Sequence, residues 1–430
     1  MNADTQANYR QTLRDLSDRI VAAQKPIRIL DHIKWDASIQ EGFFAAGAKE
    51  LPKVDKAYYA ARPLGFDPVA KRQEFHEIDR DITRLLGQFN SLGGIMRRMC
   101  REYIQVVRML EARGTSEFGI MSEELYGSAS DAFHEGGPTL ADLGQILGEA
   151  IANIDQSELL KPEERTITGE QAVKILQKRI NHAFRESEGT VRVLLSDGIV
   201  ADAAAGADYI KIRREAKFNE RDLKVLEVHE GWVHLGTTLN GGQQPICTFL
   251  SKGPPSSTVT QEGLAILMEI ITFASYPSRL RRLANRIRAV DMAEKGGDFL
   301  DVYRFFLEQG LNEGESYGSA ARIFRGSSPD GSPFTKDLSY NKGFIMIYNY
   351  MRLAVRKGML DRIPLLFCGK TTLEDVRTLS QSVQEGIVVP PRFLPPQIAD
   401  LNAITAWMCY SNFLNRLDLG RIQDDYSAIL

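Results

Sequence analysis

The sequence predicts a mainly helical α+β protein with one small sheet just ahead of its most informative helix. Three observations carry this. Apolar residues recur at helical spacing through most of the chain, strand-like runs cluster around residues 191–212, and Asn219 can cap a helix directly after them. In order, residues 5–24 set Leu13, Leu16, Ile20 and Val21 on one helical side, and Pro26 ends that helix. Residues 27–33 read as a short strand, and the Gly-, Ala- and Pro-rich stretch 40–68 as irregular. A long helical pattern over 67–113 is expected to break at Gly93-Gly94. Helices are also expected over 139–154 and 168–185, the latter opened by a capping box of Thr168 and Gln171.

The character changes at Thr190. Residues 191–195 and 199–201 flank Ser196-Asp197-Gly198, a hairpin signal. The small-residue run Ala203–Gly206 and the strand-like 209–212 follow. A helix over 220–238 stops near Asn240-Gly241-Gly242, and Thr258 with Gln261 forms a second capping box opening a helix to Phe273. Helices are further expected over 278–310, 338–357, 372–384 and 396–416, with Trp407 and Tyr410 on a core-facing stripe. The chain is read as a helical N-terminal part, 1–186, and a part spanning 187–430 that carries the chemistry.

A hydrophobic share of 43% with 25% charged residues excludes wholesale disorder. Lys and Arg number 53 against 56 Asp and Glu, a net charge of -3, which argues against a global grip on nucleic acid or an anionic membrane. Cys100, Cys247, Cys368 and Cys409 form no CxxC pair, so a disulfide framework and a cysteine zinc knuckle are not expected and a reducing compartment fits. The polar N-terminus lacks the order of a secretory signal, and the longest apolar stretch, 264–274, contains Glu269 and is too short to cross a bilayer. A soluble, cytoplasmic protein is expected.

The helix over 220–238 contains His229-Glu230-Gly231-Trp232-Val233-His234, two of the chain's six histidines bracketing a His-Glu pair. The other His-Glu pairs, His76-Glu77 and His134-Glu135, have no histidine four or five residues on. The chemistry this suggests is that of a zinc hydrolase. A catalytic zinc takes three protein ligands, commonly two His and a carboxylate, and keeps a position for water. The Glu beside the first His, Glu230, would take the proton from that water. Glu262, in Gln261-Glu262-Gly263-Leu264-Ala265, is the candidate third ligand, with Gly263 permitting a close backbone approach. The spacing of the histidines is awkward. At i,i+4 two side chains lie about 40° apart around a helix, whereas at i,i+5 they splay by roughly 140°. Metal binding therefore requires a π-type bulge between His229 and His234, least costly at Gly231. The alternative, a core and a surface histidine on an amphipathic helix, requires no distortion.

These motifs carry a resemblance. HEGWVH followed by VTQEGLA resembles the flavohemoglobin expression-modulating QEGLA motif proteins, and is similar to the microtubule-associated tyrosine carboxypeptidases, which share an HExxxH and an EEGLA-type segment. Asn240, Gln244-Pro245, residues 112–118 and 124–127, and Phe334-Thr335-Lys336-Asp337 with Tyr340 and Gly343 extend the likeness over about residues 30–350. The resemblance implies a gluzincin-like peptidase in which His229, His234 and Glu262 bind zinc and Glu230 is the base. Gln261 departs from the Glu of the animal motif and removes one charge beside the site.

Further candidates come from the chemistry a carboxypeptidase needs. A cation must hold the substrate's terminal carboxylate, and Arg does this bidentately. Arg322 and Arg325 are the first candidates and Lys336 the next, against a reading as exposed charges. Tyr340 is a candidate oxyanion donor or a core residue. The run 203–206 is either an edge strand for an extended peptide or a tightly packed strand. Glu269 is read as a solvated charge rather than a support for a ligand His. The five arginines within 279–288 read as a basic face. The expected function is zinc-dependent peptide hydrolysis, most simply a carboxypeptidase acting on a peptide or protein C-terminus, with neither nucleic acid nor membrane as partner. The alternative is a regulatory or scaffold protein with a structural metal, modulating flavohemoglobin expression. An intact Glu230 favours the enzyme, because a structural site has no use for a base.

Overall fold

In the computed structural model, residues 3–154, 164–185, 191–199 and 201–427 are described. The first part is helical throughout: α1 (Ala3–Gln24), α2 (Ile29–Ile33), α3 (Ala37–Ala45), α4 (Lys56–Ala60), α5 (Pro68–Leu86), α6 (Ser91–Glu111), α7 (Ser116–Tyr126) and α8 (Leu140–Ile154). Residues 27–33 thus contain a helix, not the expected strand, and 40–68 contain α4, capped by the Asp55 carboxylate accepting from Tyr58 N at 2.8 Å. The break between α5 and α6 falls at 87–90 rather than at Gly93-Gly94. Gly87 takes a positive φ of 85°, which favours glycine, and the Asn90 side chain accepts from Gly93 N, so the paired glycines begin α6.

The sheets come next. β1 (Ile167–Thr168) leads into α9 (Gly169–Ala183), whose Thr168–Gln171 capping box is present as expected. β2 (Arg192–Ser196), β3 (Ala203–Ala205) and β4 (Tyr209–Arg213) form a sheet of order β2-β4-β3, and β5 (Lys217–Phe218) returns to pair with β1. β2 runs parallel to β4 and β3 antiparallel to it. The expected hairpin about Asp197-Gly198 is absent among the described residues; Val200 lies outside them. Side chains close that turn instead, with Arg214 Nε donating to Asp197 at 2.8 Å and Gly198 N to Ser196 Oγ at 3.3 Å.

A continuous rod follows: α10 (Glu220–Leu226), a π-helix over Glu227–Leu235, and α11 (Gly236–Gly242). The i,i+5 histidine spacing asked for this distortion. Asn219 opens the rod with a capping box, its side chain accepting from Asp222 N. α12 (Pro255–Ile271) starts on Pro255, whose missing N–H and fixed φ suit a first helical position, so Thr258 is not its cap. Then come α13 (Pro277–Glu294), α14 (Phe299–Glu308), α15 (Glu313–Phe324), α16 (Ser339–Arg356), α17 (Val376–Gln384), α18 (Pro396–Ala399), α19 (Asn402–Leu414) and α20 (Leu419–Tyr426). α15, capped by Asn312, was not anticipated. Tyr410 on α19 is 72% exposed and Trp407 packs only in part, against Tyr348, so that stripe is not core.

One hydrophobic cluster draws on Leu13, Phe75 and Met99 as well as Leu264, Met268 and Met351. Its axis is α12, whose residues from Thr260 to Glu269 are all buried. α12 and α16 cross where Gly263 faces Gly343, and a Cβ on either would run into the other helix's backbone. The glycine of the QEGLA segment therefore sets the approach of two helices, and with it the distance from Glu262 to Tyr340. The family-like Asn240 and Gln244 have a structural task. Asn240 accepts from Arg392 N and Phe393 N and donates to the Phe367 and Phe393 carbonyls, fixing the C-terminal segment to the rod. Substituting Gly263→Ala should cost about 1–3 kcal/mol or more of stability by overpacking the crossing. A urea midpoint equal to that of the native protein would contradict it.

Candidate functional site

The π-helix turns both histidines to one side. Their rings stand 4.7 Å apart at 81°, and the two Nε2 atoms each lie 3.4 Å from Glu262 Oε2. That oxygen is buried and has no hydrogen-bond partner. Glu262 Oε1 meets Lys336 Nζ at 3.2 Å. Burial would raise the Glu262 carboxyl, but Lys336 and the two imidazoles hold it well below its usual range. Glu230 also stands close: His229, Glu230 and His234 each offer a ligand atom within 4.8 Å of one another. Two carboxylates thus compete for the third position. The 3.4 Å contacts and the orphaned oxygen favour Glu262, because Glu230 Oε2 already accepts from Ala205 N on β3 at 2.8 Å.

His229 is oriented from behind. Its Nδ1 lies 2.7 Å from Glu269 Oε1, which leaves Nε2 to face Glu262. Glu269 is 0% exposed, correcting the expectation of a solvated charge, and Arg279 clamps it with bonds of 2.9 and 3.1 Å. Burial pushes Glu269 up, but Arg279 and His229 pull it down to about 2. Burial likewise depresses His229, yet Glu262 and Glu269 outweigh it and raise the imidazole to about 10.

The far end of the π-helix is held by a residue that sequence reasoning missed. Lys370 Nζ donates to the His234 carbonyl at 2.9 Å and to Thr237 Oγ1 and Gln261 Oε1 at 3.0 Å each. Thr238 Oγ1 donates to the same carbonyl at 2.7 Å. These donors bond the His234 carbonyl where the π-helix passes into α11, and they tie His234 to the residue before Glu262. Burial drives the Lys370 ammonium down to about 7, against the pull of Glu262 and Glu230.

The remaining candidates gather about Tyr340, whose ring stacks 6.2 Å from that of His229. Arg322 donates to Asp337 through Nε and Nη2 at 2.9 and 2.7 Å, so its fork is occupied. Arg325 is 7% exposed, its Nε has no hydrogen-bond partner, and it makes no ion pair among the described residues. Burial, with Arg322 beside it, lowers its guanidinium to about 10. The arginine run on α13 is not a basic face. Arg279 reaches Glu269, and Arg286, two turns on, lies 3.8 Å from Asp337 and 5.0 Å from the Tyr340 ring centre. Their seven-residue spacing was the available signal. Arg286, Arg322, Arg325 and Lys336 confront Asp337 and Glu262, a surplus of buried positive charge suited to an anion.

Fold and site together define a mainly helical α+β protein with a His-His-Glu cluster where a π-helix meets α12, flanked by buried cations. The family model for the microtubule-associated tyrosine carboxypeptidases matches residues 41–416, and the chain belongs to that family. No curated protein matches it significantly. Among the described residues no helix is long and apolar enough to cross a membrane.

Removing the ammonium in Lys370→Met takes a donor from three oxygens, those of the His234 carbonyl, Thr237 and Gln261, and should lower stability by about 1–3 kcal/mol. A denaturation midpoint unchanged from the native protein would count against the clamp.

Proposed function

We propose that the protein is a zinc-dependent carboxypeptidase with a gluzincin-like site in which His229, His234 and Glu262 hold the metal. The carrying observation is the convergence of two Nε2 atoms at 3.4 Å on an orphaned carboxylate oxygen. Donor atoms on a tetrahedral zinc with bonds of about 2.0–2.1 Å stand about 3.3–3.4 Å apart, so the three groups fit the ion with little movement. Zinc bound there supplies Lewis acidity and lowers the pKa of a water to near neutrality.

The protein's own groups do the rest. Glu230, hung on the β3 edge through Ala205 N, takes the proton of the attacking water and returns it to the leaving amine. Tyr340 donates its hydroxyl to the developing oxyanion. Arg325, a buried cation that makes no ion pair among the described residues, receives the terminal carboxylate of the substrate with Lys336 beside it. Arg322, held by Asp337, keeps that pocket positive and in place. The family's name supplies tyrosine as the residue released.

Glu230→Gln should retain zinc while losing about 10²–10⁴-fold in kcat, and His234→Ala should lose the zinc. Zinc content by elemental analysis, together with release of C-terminal residues from a peptide set, reads both. A protein that binds zinc and cleaves no peptide would point to a scaffold instead. Arg325→Met should leave Tm unchanged or higher, because it removes an unpaired buried charge. It should also raise KM at least about tenfold through loss of a charged hydrogen bond. An unchanged KM would remove Arg325 from the substrate pocket.

A further inference from the structure

α19 has the composition of a core helix but is covered on one side only. Ile404, Met408 and Ser411 are buried, while Ala403, Ala406, Trp407, Tyr410, Phe413 and Leu414 form a second stripe that faces water. At about 100° per residue that stripe spans about 120°, the width with which a surface helix meets its core. The helix holds no charged residue and no histidine. Leu417 and, on α20, Leu419 and Tyr426 continue the apolar exposure. Trp407, Tyr410, Phe413 and Tyr426 are 38, 72, 61 and 51% exposed. At about 150–250 Å² for a whole aromatic side chain, these four leave roughly 300–550 Å² to water. Leu414, Leu417 and Leu419 bring the segment towards the about 800 Å² that each partner contributes to a standard interface.

We propose that this stripe is the seam of a homodimer, packed antiparallel against α19 of a second copy. Its spacing is self-complementary. Positions 403, 407, 410 and 414 lie four, three and four residues apart, an order that reads the same from either end, as an isologous contact requires. About a two-fold axis between Trp407 and Tyr410, Trp407 meets Tyr410 of the second copy and Ala403 meets Leu414, ring against ring and small against large. Charge selects the same occupant. A face without charge gives a foreign partner no ion pair to recognise, whereas a second copy brings an equally uncharged face. A helix lying on an anionic membrane carries an excess of Lys and Arg, but residues 402–426 hold two arginines against three aspartates. The seam also backs the site, because α19 rests on α16, the helix of Tyr340, through Trp407 against the Tyr348 ring and Ser411 bonded to the Tyr348 hydroxyl.

Sedimentation equilibrium of the full-length protein at micromolar concentration tests the seam, and pyrene attached to Cys409 reports on it. Cys409 flanks the axis and is exposed, while Cys100, Cys247 and Cys368 are buried. The native protein should sediment at twice its chain mass, and the labelled protein should show excimer emission that fades on dilution. Tyr410→Glu and Leu414→Glu put carboxylates into the seam from exposed positions. Each should raise the dimer dissociation constant at least about a hundredfold while the far-UV helical signal is retained. A native protein that sediments as a monomer overturns the proposal, and flotation of that monomer with neutral phosphatidylcholine vesicles reassigns the stripe to a lipid surface. A dimer that both variants leave intact overturns α19 as its seam.

Discussion

The carboxylate of Glu262 lies 3.4 Å from two imidazole nitrogens that a regular helix would turn roughly 140° apart. Much of the surrounding structure follows from that constraint. The rod must carry a π-helical stretch, and such a stretch displaces carbonyls from their helical partners. Lys370 and Thr238 bond the His234 carbonyl, and Glu269 fixes the His229 ring. Each support comes from a different element, so the distortion is stable only once the tertiary fold has closed around it.

Charge organises the site a second time. Glu262 and Glu269 contact the imidazoles with Glu230 close by, while near Tyr340 Arg286 and Arg322 pair with Asp337 and Arg325 makes no ion pair among the described residues. Glu269 is already paired with Arg279 and Glu262 with Lys336, whereas the arginines around Asp337 outnumber it. Lys336 joins them, reaching Glu262 with its ammonium while lying 5.7 Å from the Tyr340 ring centre. Buried ions of one sign are costly unless something of the other sign arrives. An anion among the arginines answers that demand.

Much of this was legible in the sequence, and the limits are physical. The HExxxH spacing demanded a π-helix because helical geometry is periodic, and Gly263 announced a close crossing because it has no Cβ. Helix positions followed from apolar periodicity for the long elements. They failed at 27–33, where a five-residue helix leaves too few turns for a period to register, and at Gly93-Gly94, where Asn90 turned a breaker pair into a helix start. The residues around the His229–His234 cluster were harder. Lys370 and Arg286 reach the site from elements remote in sequence, and Glu269 looked solvated because nothing local reveals that α12 is sheathed on all sides. Arg325 was legible only as a residue type; that it forms no ion pair among the described residues is a property of packing.

The central claim is that one cation joins His229, His234 and Glu262. An anomalous-scattering map from zinc-loaded crystals, measured at the zinc absorption edge, tests it most directly. The account predicts a single peak within about 2.0–2.2 Å of both Nε2 atoms and of Glu262 Oε2, with Glu230 outside bonding distance. A peak ligated by Glu230 in place of Glu262, or no peak between the histidines, would contradict it.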